Sequence, residues 1–219
     1  MYYFEINGGN PLEGEISVYS AKNAVLPMIA SAILAEKGTT VLRNIPNIAD
    51  VRTMIEVLRY LGAEIEFDRD NHIISINTER VNKYEAPYDL VSRMRASFLV
   101  MGPLLARFGI ARVSQPGGCA IGARPIDQHI IGFSKLGATI TEEHGYTVAK
   151  ANRLAGNTIV FDRPTHTGTE NIMMSAVLSD GITEIVNAAR DPEIKDLANM
   201  LTLVNMTVVV PADQLETRK

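Results

Sequence analysis

The chain has 219 residues, of which 46% are hydrophobic, and carries a formal net charge of −4 with one cysteine and four histidines. Such a content suits one large domain or two small ones with a substantial core. A lone cysteine excludes an intrachain disulfide and a multi-cysteine metal site, the histidines lack paired ligand spacing, and no basic block favours nucleic acid, so no metal, no cofactor and no nucleic-acid partner is expected.

The start, Met1-Tyr2-Tyr3-Phe4-Glu5, lacks the basic and apolar regions of a signal peptide. No apolar run approaches the roughly 20 residues that span a bilayer. The expectation is a soluble, cytoplasmic chain with no membrane partner. Residues 1–19 are read as an opening strand segment, with the strand itself from Tyr3 to Ile6. Residues 20–219 are read as a separate domain.

That domain begins with Lys22-Asn23 at the mouth of an apolar helix. A lysine there can meet an anion together with helix N–H groups, or it can simply stay solvated. The helix is expected to end at Gly38, with a β-branched strand after it. Residues 50–60 read as the next helix, because Val51, Met54, Ile55 and Leu58 recur at i, i+3, i+4, i+7. It closes at Gly62. The alternating strand Glu64-Ile65-Glu66-Phe67 then pairs with Ile73-Ile74-Ser75-Ile76 across Asp68-Arg69-Asp70-Asn71.

Arg93 and Arg95 precede an apolar helix over residues 96–105. Cations at a helix start oppose its dipole, so their placement makes sense if an anion lies between them and the helix. After that helix the first pattern returns. Leu105 to Val113 repeats Leu34 to Val41, Leu136-Gly137-Ala138 repeats Leu61-Gly62-Ala63, and Leu178 to Ile185 opens a third copy. The leading glycines Gly38, Gly109 and Gly181 stand 71 and 72 residues apart. A fixed period of this length implies one supersecondary unit used three times, here α/β with mixed strand directions, packed around shared helices.

The copies are unequal. Gly109 to Gly137 is four residues longer than Gly38 to Gly62, and the excess falls in Ser114-Gln115-Pro116-Gly117-Gly118-Cys119-Ala120-Ile121-Gly122. Loops added to a repeat scaffold are where binding resides. Cys119 is either a small buried hydrophobe or a thiol biased toward thiolate by nearby Arg124. A glycine-rich loop favours the second reading. Lys22, Arg95 and Arg124 together suggest a small, highly charged substrate, such as a phosphate bearing a carboxylate.

Lys22-Asn23, Arg93-Met94-Arg95-Ala96-Ser97 and the run from Pro116 to Asp127 resemble the UDP-N-acetylglucosamine 1-carboxyvinyltransferase family, the enolpyruvyl transferases of peptidoglycan synthesis. The resemblance runs from about Phe4 to Met200. It implies three βαβαββ units forming one inverse α/β barrel domain, with the opening strand shared with a second domain. It also implies transfer of the enolpyruvyl group of phosphoenolpyruvate to the 3-hydroxyl of UDP-N-acetylglucosamine, with release of phosphate. By the same resemblance Cys119 protonates or adds to phosphoenolpyruvate and is the residue fosfomycin alkylates. Lys22 and Arg124 neutralise the phosphoenolpyruvate anion. Asn23 and Arg95 hold the substrates, and Arg124, Pro125, Ile126, Asp127 and Gln128 contact the uridine nucleotide. Thr165, His166 and Thr167 fall in the family's diphosphate loop, although Thr167 or Thr169 could equally be a helix cap there. His129 either faces the site or is a satisfied structural histidine.

Family members are about twice this length, and the third copy departs at its end, where Val204-Asn205-Met206-Thr207 replaces the expected Leu-Gly-Ala. A C-terminal half domain, or self-association through an exposed apolar face, would complete the site. The alternatives are a non-catalytic nucleotide-sugar-binding or partner-binding protein of the same fold, and a shikimate-type transferase, which Cys119 disfavours.

Overall fold

A computed structural model describes residues 3–9, 11, 13–115 and 125–203. Cys119, Arg124 and the end of the third sequence copy lie outside the described residues. Chain order is α1 (Lys22–Ser31), a 3-10 turn, β1 (Thr39–Arg43), α2 (Ala49–Leu61), β2 (Glu64–Asp68) and β3 (Ile73–Asn77). Next come β4 (Glu85–Ala86), α3 (Tyr88–Val91), a 3-10 segment over Arg95–Val100, α4 (Met101–Phe108) and β5 (Ile110–Ser114). The remainder is α5 (Asp127–Lys135), β6 (Thr139–Glu143), β7 (Tyr146–Lys150), β8 (Thr158–Val160), α6 (His166–Ala176), β9 (Glu184–Val186) and α7 (Pro192–Thr202).

Helices α1, α4 and α6 are buried over most of their length and form the interior, α1 and α4 largely with apolar or small residues and α6 with buried Glu170 and Asn171 as well. The strands lie outside and expose alternate residues, as in β2, where Ile65 is buried between exposed Glu64 and Glu66. Helix α2 is amphipathic and buries Val51, Met54, Ile55, Val57, Leu58 and Leu61. One continuous apolar core runs from Val25 and Ile29 through Leu58, Leu99 and Leu104 to Phe133, Ile172 and Leu197.

Three sheets result, in the orders β1-β3-β2, β4-β5-β7-β6 and β8-β9. Strand β3 lies antiparallel between β1 and β2, and β7 lies antiparallel between β5 and β6. The β2–β3 hairpin falls where alternation placed it. Strands β4 and β5 are parallel, as are β8 and β9, each pair joined through helical structure. The second unit is therefore a complete βαβαββ path. Among the described residues the first lacks an opening strand and the third lacks its closing hairpin, so the topology establishes an α/β fold in three sheets and not a closed three-unit barrel. Tyr3, Phe4 and Ile6 are exposed and form no described strand.

Glycine caps fit two helices: Gly62 and Gly109 close α2 and α4 in the left-handed region, at φ 111° and 70°. Gly38 and Gly181 are not caps, because α1 and its 3-10 turn end at Leu34 and α6 ends at Ala176; both glycines turn the chain toward a strand instead. The helix expected over residues 96–105 begins as 3-10 and becomes α-helical only at Met101.

Candidate functional site

A cleft of about 650 Å3 opens where several helices begin. Its lining includes Lys22 and Asn23 from the start of α1, Arg93 and Arg95 from the approach to the 3-10 segment, and Asp127 from α5. Thr165, His166 and Thr167 come from the start of α6. Stretches about 70 residues apart thus converge because each unit directs a helix N-terminus at the same place. Helix starts carry unsatisfied N–H groups and partial positive charge, which favours an anion.

The cations are paired. Lys22 Nζ lies 2.7 Å from Asp50 Oδ2, and Arg93 lies 3.0 Å from Glu56. One Arg163 nitrogen donates to both Asp127 oxygens, at 2.7 and 2.8 Å. Arg95 donates to the Pro125 carbonyl at 3.3 Å, which ties the α4 approach to the far end of the cysteine loop. The three ion pairs are half exposed, and pairs of that kind contribute about 0–1 kcal/mol. An incoming anion can therefore replace a carboxylate at little cost. Pro27 has no N–H, so the Asn23 carbonyl lacks its helical donor at the cleft mouth.

Behind the cationic rim lies a buried polar layer. Gln128 donates to Asp127 and Asp162 and accepts from the Asp162 backbone N–H at 2.9 Å. The Gln128 hydrogen bond and then Arg163 hold the Asp127 carboxyl below its usual range. Thr165 caps α6, its hydroxyl oxygen accepting from the Gly168 N–H at 3.3 Å, while Thr169 donates to the Thr165 carbonyl and accepts from Ala189. The α6 cap is thus Thr165, and neither Thr167 nor Thr169.

Glu170 is buried beneath the cleft, and burial pushes its carboxyl up. His166 Nδ1 lies 3.4 Å from Glu170 Oε2, and that hydrogen bond raises the imidazole above its usual 6.5. Among the described residues, His166, Asp191 and Glu193 bring one ligand atom each within 4.8 Å of one another, the grouping that could hold a cation. Pairing by sequence spacing had no means of finding it, since Asp191 and Glu193 reach His166 from the start of α7.

Of the residues expected at the site, Lys22, Asn23, Arg95, Pro125, Asp127, Gln128, Thr165, His166 and Thr167 all line the cleft. Ile126 instead packs partly buried against the core, and Cys119 and Arg124 lie outside the described residues. His129 is buried and bonded rather than lining the cleft. Sequence reading missed Arg163 and Glu170. Arg163 was visible beside the threonines of its loop, whereas no spacing rule flags a glutamate buried within α6.

The fold is that of the enolpyruvyl transferases. It matches the enolpyruvyl transferase NikO from Streptomyces tendae with a TM-score of 0.76 at 22% identity, over 89% of this chain and 45% of that one. It also matches an EPSP synthase from Acinetobacter baumannii with a TM-score of 0.69 at 18% identity, over 91% and 45%. The chain belongs to the EPSP synthase (3-phosphoshikimate 1-carboxyvinyltransferase) family, which it matches over residues 6–217. It is 54% identical over 203 residues to the UDP-N-acetylglucosamine 1-carboxyvinyltransferase of Thermodesulfovibrio yellowstonii, covering 93% of this chain and 48% of that protein. Identity to the protein of that name from Dichelobacter nodosus is 51% over 208 residues, covering 95% and 49%. The chain spans about half the length of the curated relatives it matches. No described helix is long and apolar enough to cross a membrane.

Proposed function

We propose that this chain supplies one wall of an enolpyruvyl transfer site, at which the 3-hydroxyl of UDP-N-acetylglucosamine adds to C2 of phosphoenolpyruvate and phosphate then leaves. The observation that carries the reading is the convergence of Lys22, Arg95 and Arg163 with the starts of α1 and α6 in one cleft. Two anions need recognition in this chemistry, the phosphate and carboxylate of one substrate and the diphosphate of the other. Lys22 and Arg124 take the first and Arg95 helps hold the substrates. The α6 start, with Thr165, His166 and Thr167, takes the diphosphate, and Arg163 joins it there. Asn23, Pro125, Asp127 and Gln128 complete the acceptor side.

Addition protonates the phosphoenolpyruvate methylene while the sugar hydroxyl bonds to C2 and gives up its proton to a carboxylate base expected on the opposite wall. Elimination removes a proton from the resulting methyl and expels phosphate. Cys119 serves the phosphoenolpyruvate methylene as proton donor or forms a covalent adduct. Fixed cations and N–H groups stabilise charge on the leaving phosphate without reorganisation. The acceptor is assigned to the nucleotide sugar rather than to shikimate 3-phosphate because relatives above 50% identity bear that name and because of the Cys119 loop. The opposite wall belongs to a second domain, so the chain alone is inactive.

Phosphate release from phosphoenolpyruvate tests this, measured with UDP-N-acetylglucosamine and separately with shikimate 3-phosphate. The expected result is no turnover by the chain alone and turnover with the nucleotide sugar once a C-terminal half from a relative is added. Turnover with shikimate 3-phosphate instead would overturn the acceptor assignment, and turnover by the chain alone would overturn the half-site reading.

A further inference from the structure

The wall beneath Thr167 contains a hydrogen-bond chain whose direction can be read from one end. The Gly102 backbone N–H, which can only donate, points at Asn171 Oδ1 at 2.8 Å. The Phe98 carbonyl, which can only accept, lies 3.2 Å from Asn171 Nδ2. Both fix the orientation of the Asn171 amide. Nδ2 also lies 3.1 Å from His129 Nδ1, so that ring nitrogen must be the acceptor. His129 is 2% exposed, with the Phe98 ring edge-on at 5.2 Å. Burial, and then the nearby Arg95 charge, depress its pKa to about 3 against an opposing pull from Asp127, so the ring is neutral and carries one proton. That proton sits on Nε2, 3.2 Å from Thr167 Oγ1. The Thr167 oxygen is therefore an acceptor from His129. Its own hydrogen has no acceptor among the described residues and Thr167 lines the cleft.

Helix geometry makes the arrangement specific. Thr167 and Asn171 are one turn apart on α6, on the same face, and together they clasp both nitrogens of a ring supplied by α5. Gly102 allows it, because a Cβ there would stand 2.5 Å from the Asn171 carbonyl oxygen.

We propose that His129 is a positioning residue that presents Thr167 to the cleft as a hydrogen-bond donor only, selecting an anionic ligand oxygen of the phosphate or diphosphate class over a neutral donor group. The inference rests on the nucleotide reading of the cleft for its ligand, but not for its geometry.

The test has two parts. A long-range proton–nitrogen correlation spectrum of the chain labelled at histidine nitrogen, recorded at neutral pH, should show His129 protonated at Nε2 alone. A spectrum with the proton on Nδ1, or on both nitrogens, overturns the proposal. The second part is titration with uridine 5′-diphosphate. Thr167→Val should weaken binding about tenfold, the loss expected for a hydrogen bond to a charged group, while Thr167→Ser should stay within about twofold. Asn171→Asp offers acceptors where the amide offered a donor, moves the His129 proton to Nδ1 and turns the Thr167 hydrogen back toward Nε2. It should lose affinity as Thr167→Val does, and the double variant should lose no more than either. An Asn171→Asp chain with the proton moved but affinity kept overturns the proposal. If that variant does not fold, the spectrum of the unaltered chain still decides. If the unaltered chain binds no uridine 5′-diphosphate, the nucleotide reading of the cleft fails, while the His129 geometry stands or falls on the spectrum.

Discussion

Gly102→Ala should damage the molecule far more than its size suggests. The added carbon would lie 2.5 Å from the Asn171 backbone oxygen, 2.7 Å from Asn171 Oδ1 and 3.0 Å from Ser175 Oγ. The first of these atoms belongs to a buried helix backbone and cannot rotate away. Restoring an ordinary contact needs roughly 1 Å of separation between α4 and α6. Overpacking of this kind costs about 1–3 kcal/mol. The same movement stretches the buried 2.8 Å bond from Gly102 N–H to Asn171, a loss of about 1–3 kcal/mol. Alanine recovers up to about 1 kcal/mol of helix propensity. The net is a destabilisation of about 1–5 kcal/mol, or roughly 2–20 °C in Tm for a chain of this length. The chain has no tryptophan, so calorimetry or near-ultraviolet dichroism is the suitable assay. Gly132→Ala is the control. Its added carbon meets Ile172 Cγ1 at 2.5 Å, a side-chain atom that can move, so the loss should be smaller. A Gly102→Ala chain melting within about 2 °C of the parent would refute the argument that α4 and α6 are locked at this contact.

Glu170→Gln should lower the His166 pKa toward its ordinary 6.5, because the Glu170 hydrogen bond is what raises it; an unchanged proton-resonance titration of His166 would contradict this. The same substitution should flatten the stability–pH curve. Glu170 holds its proton longer when folded and so penalises the fold as pH rises above 4.5, while the support from His166 is present below 6.5 and lost as pH rises through its folded value. His129 works in the opposite sense. With a folded pKa of about 3, the unfolded chain gains the proton first, so about 2 kcal/mol of stability should be lost between neutral pH and pH 5, and His129→Gln should remove most of that acid sensitivity in denaturant melts. Asp50→Asn should change stability by less than about 1 kcal/mol, since the Lys22–Asp50 pair is half exposed, yet strengthen phosphoenolpyruvate binding a few-fold at low salt; weaker binding would mean that Asp50 positions Lys22 rather than competing for it.

Much of the fold was readable because its signals are local. The period of Val51, Met54, Ile55 and Leu58 located α2, and alternation around Asp68 to Asn71 located the β2–β3 hairpin. Glycine was less reliable. Gly62 and Gly109 close helices, whereas Gly38 and Gly181 sit in equivalent repeat positions and do not, because the preceding helices stop several residues early. Before Gly38 the intervening Ala35-Glu36-Lys37 are small or charged, so no apolar face there demanded that the helix continue. The 3-10 start at Arg95 also left no mark in hydrophobic spacing, since Phe98, Leu99 and Val100 are buried in succession rather than on one face.

The site divides along the same line. Its rim was legible in part, because a lysine or arginine at a helix start is a conflict visible in the sequence itself. Lys22 and Arg95 share that property, whereas Thr165 is an ordinary helix cap. The layer beneath was not legible, because much of its hydrogen bonding comes from residues far along the chain. Gln128 is completed by Asp162 and Asn171 by Gly102 and Phe98, while Glu170 pairs with His166 one turn away and keeps one buried oxygen without a hydrogen bond among the described residues. Read singly, His129 was as consistent with a residue facing the site as with a structural one, and burial alone would assign it to structure. The direction of its hydrogen bonds removes that division. A ring that never meets the ligand still decides whether Thr167 offers a proton or a lone pair to the cleft, and that decision was made at Gly102, where the absence of a side chain lets α4 reach α6.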